Sequence, residues 1–197
     1  MLKKFALQGG RYTPASLYHL FMVCAFPIHG WAILMSLSDF SWVAARTRAW
    51  DAVGLVSYAL IFALFETLAV FVIVWALGAL VPAGWDADKR VALLGSLFLV
   101  AAGWAIAGQV YSLLGKPVHA SLIRFLMQSG HPLRIFSSAV VLFPVLSAAL
   151  PAWAVMTSDA ARGGLGSAID RISLLASFYV ALDVLGVLVV FIRSVTI

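Results

Sequence analysis

The chain has 197 residues, of which 63% are hydrophobic and 11% are charged, and its mean hydropathy is +1.04. Soluble domains carry about a quarter charged residues, so this composition excludes an ordinary water-soluble protein and indicates one embedded in lipid. The formal charge of +5 is spread along the chain without a run of Lys or Arg, so we predict no nucleic-acid partner. Cys24 is the single cysteine, which excludes an internal disulfide and a CxxC redox pair.

Five apolar stretches are long enough to cross a bilayer, since a spanning helix needs about 20 apolar residues. They do not alternate polar and apolar residues, which excludes the strands of a membrane β-barrel. The sequence therefore predicts an all-α integral membrane bundle that forms a single domain over residues 1–197. The approximate spans are 15–37, 52–81, 91–114, 135–156 and 172–192.

The first span follows a basic N-terminal segment that contains Lys3, Lys4 and Arg11. The segment resembles the start of a signal peptide, but the apolar run 15–37 is too long for one and no A-x-A cleavage site follows it. We interpret the run as a retained signal anchor in a bacterial inner membrane. Lys and Arg are almost evenly divided between the two sides, and the basic segment ahead of the first helix favours a cytoplasmic N-terminus.

Two of the four connections have the composition of structured segments. Residues 38–51 begin with Ser-Asp, which can cap a helix, and contain two tryptophans of the kind that anchor at the interface. Residues 115–134 place four apolar side chains on one helical face and end with Gly and Pro stop signals. We predict a short amphipathic interfacial helix in each. The connections 82–90 and 157–171 are polar, and we interpret both as loops.

Three ionisable residues fall near the middle of predicted spans, at similar depth. They are His29 in the first span, Glu66 in the second and Asp183 in the fifth. An ionised carboxylate at that depth costs on the order of 3 kcal/mol or more, so each acid must be protonated, paired or in contact with water. A histidine and a carboxylate that meet there can relay protons, bind a cation or bind a polar substrate group. Alternatively, each acid bonds a neighbouring helix as packing glue, and Tyr179, one turn before Asp183, is a candidate partner.

The third span is rich in small residues over positions 101–108, where Gly103 and Ala107 form a small-xxx-small pair. Small residues let helix backbones approach closely in lipid. We therefore predict a tight helix contact through Gly103 and Ala107, either within this chain or with a partner.

The two predicted interfacial helices and the C-terminus fall on the same side of the membrane, because the number of spans is odd. Their basic residues can together bind phosphate headgroups or a lipid-linked phosphate. Alternatively, they make ordinary snorkelling contacts with headgroups. The candidate contact residues are Arg46, Arg48, Lys116, His119, Arg124, His131 and Arg134.

The sequence lacks the signatures of a cofactor site or a catalytic centre. Bis-histidine haem ligation needs histidines on two helices at equal depth, whereas His19 and His29 share one span and the other two histidines fall in a connection. There is no HExxH zinc motif and no GxSxG nucleophile elbow. The Gly-rich segment 163–166 follows no strand and lacks the P-loop Lys. We predict no cofactor and no metal, and the absence of these motifs favours a non-enzymatic role while leaving enzymatic activity open.

Two main classes of function fit these observations. The chain has almost no extramembrane mass, which fits a non-catalytic membrane subunit or accessory protein of a larger complex. Its partners would be the lipid bilayer and other membrane subunits, or a second copy of itself. The alternative is a small proton- or ion-linked transporter that works through Glu66, Asp183 and His29. A further alternative is a lipid-phosphate-binding membrane protein. No motif ties the chain to a known family.

Overall fold

A computed structural model describes residues 12–113, 115 and 118–196, and this part of the chain contains helices and no β-strand. Five of the helices are long and apolar enough to cross a membrane, which confirms the predicted all-α bundle of five spans. A single turn of 3-10 helix, Gly78–Leu80, extends the second helix. The α-helices are α1 (Pro14–Arg46), α2 (Ala49–Leu77), α3 (Ala87–Leu113), α4 (Ala120–Gln128), α5 (Pro132–Thr157) and α6 (Asp159–Thr196).

The start of α1 is fixed by local hydrogen bonds. The Thr13 hydroxyl accepts from the Ser16 amide at 3.1 Å, and the Ser16 hydroxyl accepts from the Thr13 amide at 2.8 Å. This reciprocal pair is a capping box, and Pro14 at the first helical position needs no hydrogen-bond acceptor. The first span therefore begins at Pro14, immediately before the apolar run.

The five spans alternate in direction, so α1, α3 and α6 start at one end of the bundle and α2 and α5 end there. We call this the N-terminal end, and the opposite end the C-terminal end. The core is built mainly by α1, α2 and α6, with α3 packed on α1 and α5 packed on α3. Leu20, Val23 and Cys24 of α1 are completely buried in this core.

Close approach of α6 to α2 depends on a glycine. A Cβ atom added at Gly186 would lie 3.1 Å from the backbone carbonyl oxygen of Ser57. Any larger residue would push the two helices apart, because backbone atoms cannot rotate out of the way. This contact brings the C-terminal half of α6 against α2.

Two connections differ from the sequence-based expectation. Residues 38–46 are helical, but they continue α1 to Arg46 instead of forming a separate interfacial helix. Residues 159–171 are helical rather than a loop, because the Ser158 hydroxyl accepts from the Ala161 amide at 3.2 Å and caps a new helix directly after α5. In the other structured connection, α4 is a separate short amphipathic helix, as predicted.

The length of α6 has a structural consequence. Its 38 residues span about 57 Å at about 1.5 Å per residue, well beyond a hydrocarbon layer of about 30 Å. The first turns of α6 therefore project past the membrane core at the N-terminal end and form one wall of a cavity there.

Candidate functional site

A buried histidine and a buried aspartate meet at the centre of the bundle. His29 Nε2 lies 3.0 Å from Asp183 Oδ2 and 3.2 Å from Oδ1. The two side chains are 0% and 3% exposed. His29 comes from the middle of α1 and Asp183 from the middle of the apolar part of α6, so the pair joins two core helices at membrane depth.

The hydrogen bonds around the imidazole determine where its protons lie. His29 Nδ1 is 3.0 Å from the carbonyl oxygen of Ala25. A carbonyl can only accept, so Nδ1 carries a proton. One further proton then lies between Nε2 and Asp183, either on the imidazole facing a carboxylate or on a carboxyl facing a neutral ring. The pair as a whole is neutral in both arrangements, so neither side chain is left in the core as an unpaired charge.

Neighbours from three helices complete the site. Thr67 Oγ1 of α2 is completely buried and lies 3.4 Å from His29 Nδ1. The Tyr179 ring of α6 stacks on the imidazole, with 6.5 Å between ring centroids and 13° between planes. The Phe26 ring of α1 stacks on the Tyr179 ring, with 6.3 Å between ring centroids. The site therefore links α1, α2 and α6.

Glu66 occupies a different place from the one expected for a member of this cluster. It immediately precedes Thr67 on α2, but its side chain is exposed on the outside of the bundle. Phe62 and Phe65, which are 71% and 65% exposed, belong to the same outer surface. The structure thus brings His29, Asp183 and Tyr179 together and leaves Glu66 facing away from them.

A second histidine–aspartate pair joins the same two helices nearer the N-terminal end. His19 Nε2 lies 3.6 Å from Asp170 Oδ1, and both side chains are accessible. Sequence reasoning missed this pair because Asp170 was assigned to a loop, and only the helical course of α6 places it beside α1. The available signal was that α1 carries a second histidine 10 residues before His29 and α6 a second aspartate 13 residues before Asp183.

The outer pair lines a cavity of about 460 Å³ at the N-terminal end, which we call the vestibule. Its walls come from the start of α1, the start of α3 and the projecting turns of α6. The charged or titratable side chains in its lining are His19, Asp86, Asp88, Lys89, Asp159, Arg162 and Asp170.

Sequence reasoning also overlooked Arg90, a charged residue that is buried in the structure. It is 0% exposed, and its guanidinium donates to the carbonyl oxygens of Gly78 at 2.8 Å and Pro82 at 3.0 Å. Longer bonds reach Val81 and Trp85. These carbonyl oxygens lie just beyond the end of α2, where no further helical N–H group is available to donate to them. Arg90 thus holds the α2–α3 connection in place.

The remaining sequence candidates lie on the surface. Gly103 is exposed, and a Cβ atom there would meet nothing within 4 Å, while Ala107 is half-buried. The basic residues Arg46 and Arg48 are exposed beside the α1–α2 connection, and Arg46 stacks on Trp42 at 4.1 Å. His119, Arg124, His131 and Arg134 are exposed on or beside α4 and at the start of α5, and Lys116 lies outside the described residues.

No family model, characterised protein or solved structure matches this chain.

Proposed function

We propose that this chain is a non-catalytic membrane-embedded subunit of a larger assembly, in which Glu66 contacts a neighbouring subunit. One observation carries the proposal: Glu66 is exposed near the middle of α2, at a depth where lipid would otherwise surround it. An acidic side chain at the bilayer centre costs on the order of 3 kcal/mol against hydrocarbon. A partner helix that presents a hydrogen-bond donor or a cation at this depth removes that cost.

The surface of the bundle supports the same proposal. The small residue Gly103 faces open space on α3, where another backbone can approach closely. Most of α5 is also uncovered, since Val155 is its one buried residue among positions 132–157. Both features fit a chain whose helices complete their packing against other membrane subunits.

The experiment that tests this proposal is replacement of Glu66 by Leu, followed by mass measurement of the complex extracted in native lipid nanodiscs. If a partner binds Glu66, Glu66→Leu releases the partner while the isolated chain becomes more stable. Phe178→Leu, on an exposed part of α6, is the matched control and leaves the assembly intact. An assembly that survives Glu66→Leu with unchanged mass contradicts the proposal.

A second candidate function is proton-linked transport through the His29–Asp183 pair. The observation that favours it is the buried contact of 3.0 Å between His29 Nε2 and the Asp183 carboxyl at the centre of the bundle. A proton carrier needs side chains that can take up and release a proton, and an imidazole in hydrogen-bond contact with a carboxyl supplies two such groups. Glu66 takes no part in this version, because it faces away from the pair.

Proton flux into liposomes that contain the purified chain tests the second candidate. Asp183→Asn preserves the shape of the side chain but removes its proton exchange, so flux should fall to the background of empty liposomes. Thr67→Val keeps the pair and should retain most of the flux. Equal flux for the parent chain and Asp183→Asn would rule out transport through this pair.

A further inference from the structure

The two histidine–aspartate pairs are stacked along one helix interface. Both join α1 to α6, and these helices run in the same direction. His19 and His29 are about 15 Å apart along α1, and Asp170 and Asp183 are about 20 Å apart along α6, at about 1.5 Å per residue. The outer pair lies at the vestibule and the inner pair lies at the centre of the membrane.

A buried hydroxyl lies just inside the outer pair. Ser173 is 3% exposed, and within the described part of the chain its Oγ has no hydrogen-bond partner. It follows Asp170 by three residues and so lies on the same side of α6. Burying a hydroxyl without a hydrogen-bond partner is unfavourable, and a bound water molecule can supply the missing partner. Water from the vestibule therefore has a polar anchor one turn deeper than Asp170.

An apolar contact separates Ser173 from the inner pair. Met22 and Ala25 of α1 pack on Ala176 of α6, and all three are buried. Val180 and Phe26 pack against them. By their positions along both helices, these five residues fill the interval between the outer and inner pairs. We call them the plug.

The opposite side of the inner pair is different in character. There α1, α2 and α6 enclose a groove of about 290 Å³ whose lining is almost entirely apolar, including Leu60, Leu182 and Leu185. The nearest charged pair in that direction is Arg193–Asp51, with 2.9 Å between its atoms. Arg193 is ten residues beyond Asp183, or about 15 Å along α6. On the vestibule side polar groups reach as deep as Ser173 and only the plug separates them from the inner pair, whereas the groove on the other side has an almost entirely apolar lining.

From this asymmetry we infer that the His29–Asp183 pair exchanges protons with one side only, through the vestibule, Ser173 and transient water in the plug. The inference rests on the second proposed function and specifies its path. The groups that face the imidazole are Asp183 and Tyr179 of α6 and Thr67 of α2. A proton that arrives along bound water joins the Asp183 carboxylate and leaves an imidazolium beside a neutral carboxyl. Its return to the vestibule restores the neutral pair.

The plug sets the rate of this exchange, because water must enter an apolar contact. A hydroxyl added there should hold such water by a hydrogen bond and so speed exchange about tenfold, which corresponds to about 1.4 kcal/mol. Ala176→Ser adds this hydroxyl at the centre of the plug. Val180→Thr adds one at its inner edge with little change in volume, and serves if Ala176→Ser fails to fold.

The test is hydrogen–deuterium exchange at the His29 ring in the full chain, followed by nitrogen NMR in lipid nanodiscs. His29→Gln identifies the signal among the four histidines. We expect Ala176→Ser and Val180→Thr to accelerate exchange about tenfold. The matched control, Leu182→Ser, adds a hydroxyl to the groove side and should leave the rate unchanged. Equal acceleration by Leu182→Ser, or no acceleration by either plug variant, overturns the inference.

The liposome flux measurement separates this inference from the function on which it rests. If plug variants accelerate exchange but the parent chain carries no flux, the access path stands and transport is wrong. If Asp183→Asn abolishes flux but Leu182→Ser is the variant that accelerates exchange at His29, transport stands and the vestibule path is wrong.

Discussion

The helices α1 and α5 are both apolar and both contain internal proline, yet α1 is far more buried in the bundle than α5, which is largely exposed. The most apolar stretch of α1 has a hydropathy of 1.8 and is 39% buried, whereas that of α5 has a hydropathy of 2.1 and is 6% buried. Apolarity therefore does not decide which helix becomes core. Lipid is as apolar as a side chain, so packing follows small residues and hydrogen bonds.

The contacts of the two helices show this rule at work. α1 carries His29, whose ring binds α6, and residues such as Cys24 and Ala25 that are completely buried. α5 is linked to α3 by a side-chain hydrogen bond at the bundle surface, from Trp104 Nε1 to Ser147 Oγ at 2.8 Å. α1 is thus packed in the core through a buried polar contact and buried side chains, whereas α5 is attached at the surface of the bundle through an exposed hydrogen bond.

The largest effect on the core should come from Arg90. Arg90→Leu removes donors to the carbonyl oxygens of Gly78 and Pro82 and leaves them without partners, so we expect a loss of about 3 kcal/mol in the free energy of unfolding. Thermal unfolding in mild detergent measures it. Arg124→Leu on exposed α4 is the control. Similar melting temperatures for the two variants would mean that Arg90 does not hold the α2–α3 connection.

The inner pair should be the next most sensitive place. Asp183→Leu strands the His29 imidazole in the core and should cost about 2 kcal/mol of unfolding free energy, and the added change His29→Leu should recover part of that loss. A double-mutant cycle at His29 and Asp183 measures the coupling. The same cycle at the exposed pair His19–Asp170 should give about 0.5 kcal/mol or less. Equal coupling energies for the two pairs would mean that burial of the inner pair does not strengthen its interaction.

The spans were predictable from the sequence because each is a long apolar run, and length and hydropathy alone identify it. The meeting of His29 and Asp183 was one of two alternatives that their similar depth left open, because depth does not give rotation about the helix axis. Glu66 shows the difference, since it has the same depth and faces outward. Asp170 escaped notice because glycines in residues 163–166 resemble a loop, and Ser158 was not recognised as a helix cap.

A smaller effect should distinguish two glycines on core and peripheral helices. Gly186→Ala places a Cβ 3.1 Å from the Ser57 carbonyl and should lower the free energy of unfolding by about 1–2 kcal/mol, since α2 and α6 must separate slightly. Gly103→Ala meets open space and should be neutral or stabilise by up to about 1 kcal/mol through helix propensity. Chemical unfolding of the isolated chain compares them. A larger loss for Gly103→Ala than for Gly186→Ala would contradict the open space beside Gly103 in the bundle.

The smallest effect belongs to the link between α3 and α5. Ser147→Ala removes the acceptor for Trp104 and should cost about 0.5–1 kcal/mol, a typical value for a hydrogen bond between membrane helices. Because α5 has few other buried contacts, that loss should appear as local loosening of α5, visible as faster amide exchange in residues 132–157, with little change in global unfolding. Ser137→Ala, whose hydroxyl bonds the carbonyl of Arg134 on its own helix, should leave exchange unchanged. If Ser147→Ala instead lowers global stability as much as Asp183→Leu does, α5 is part of the core and not a helix that waits for a partner.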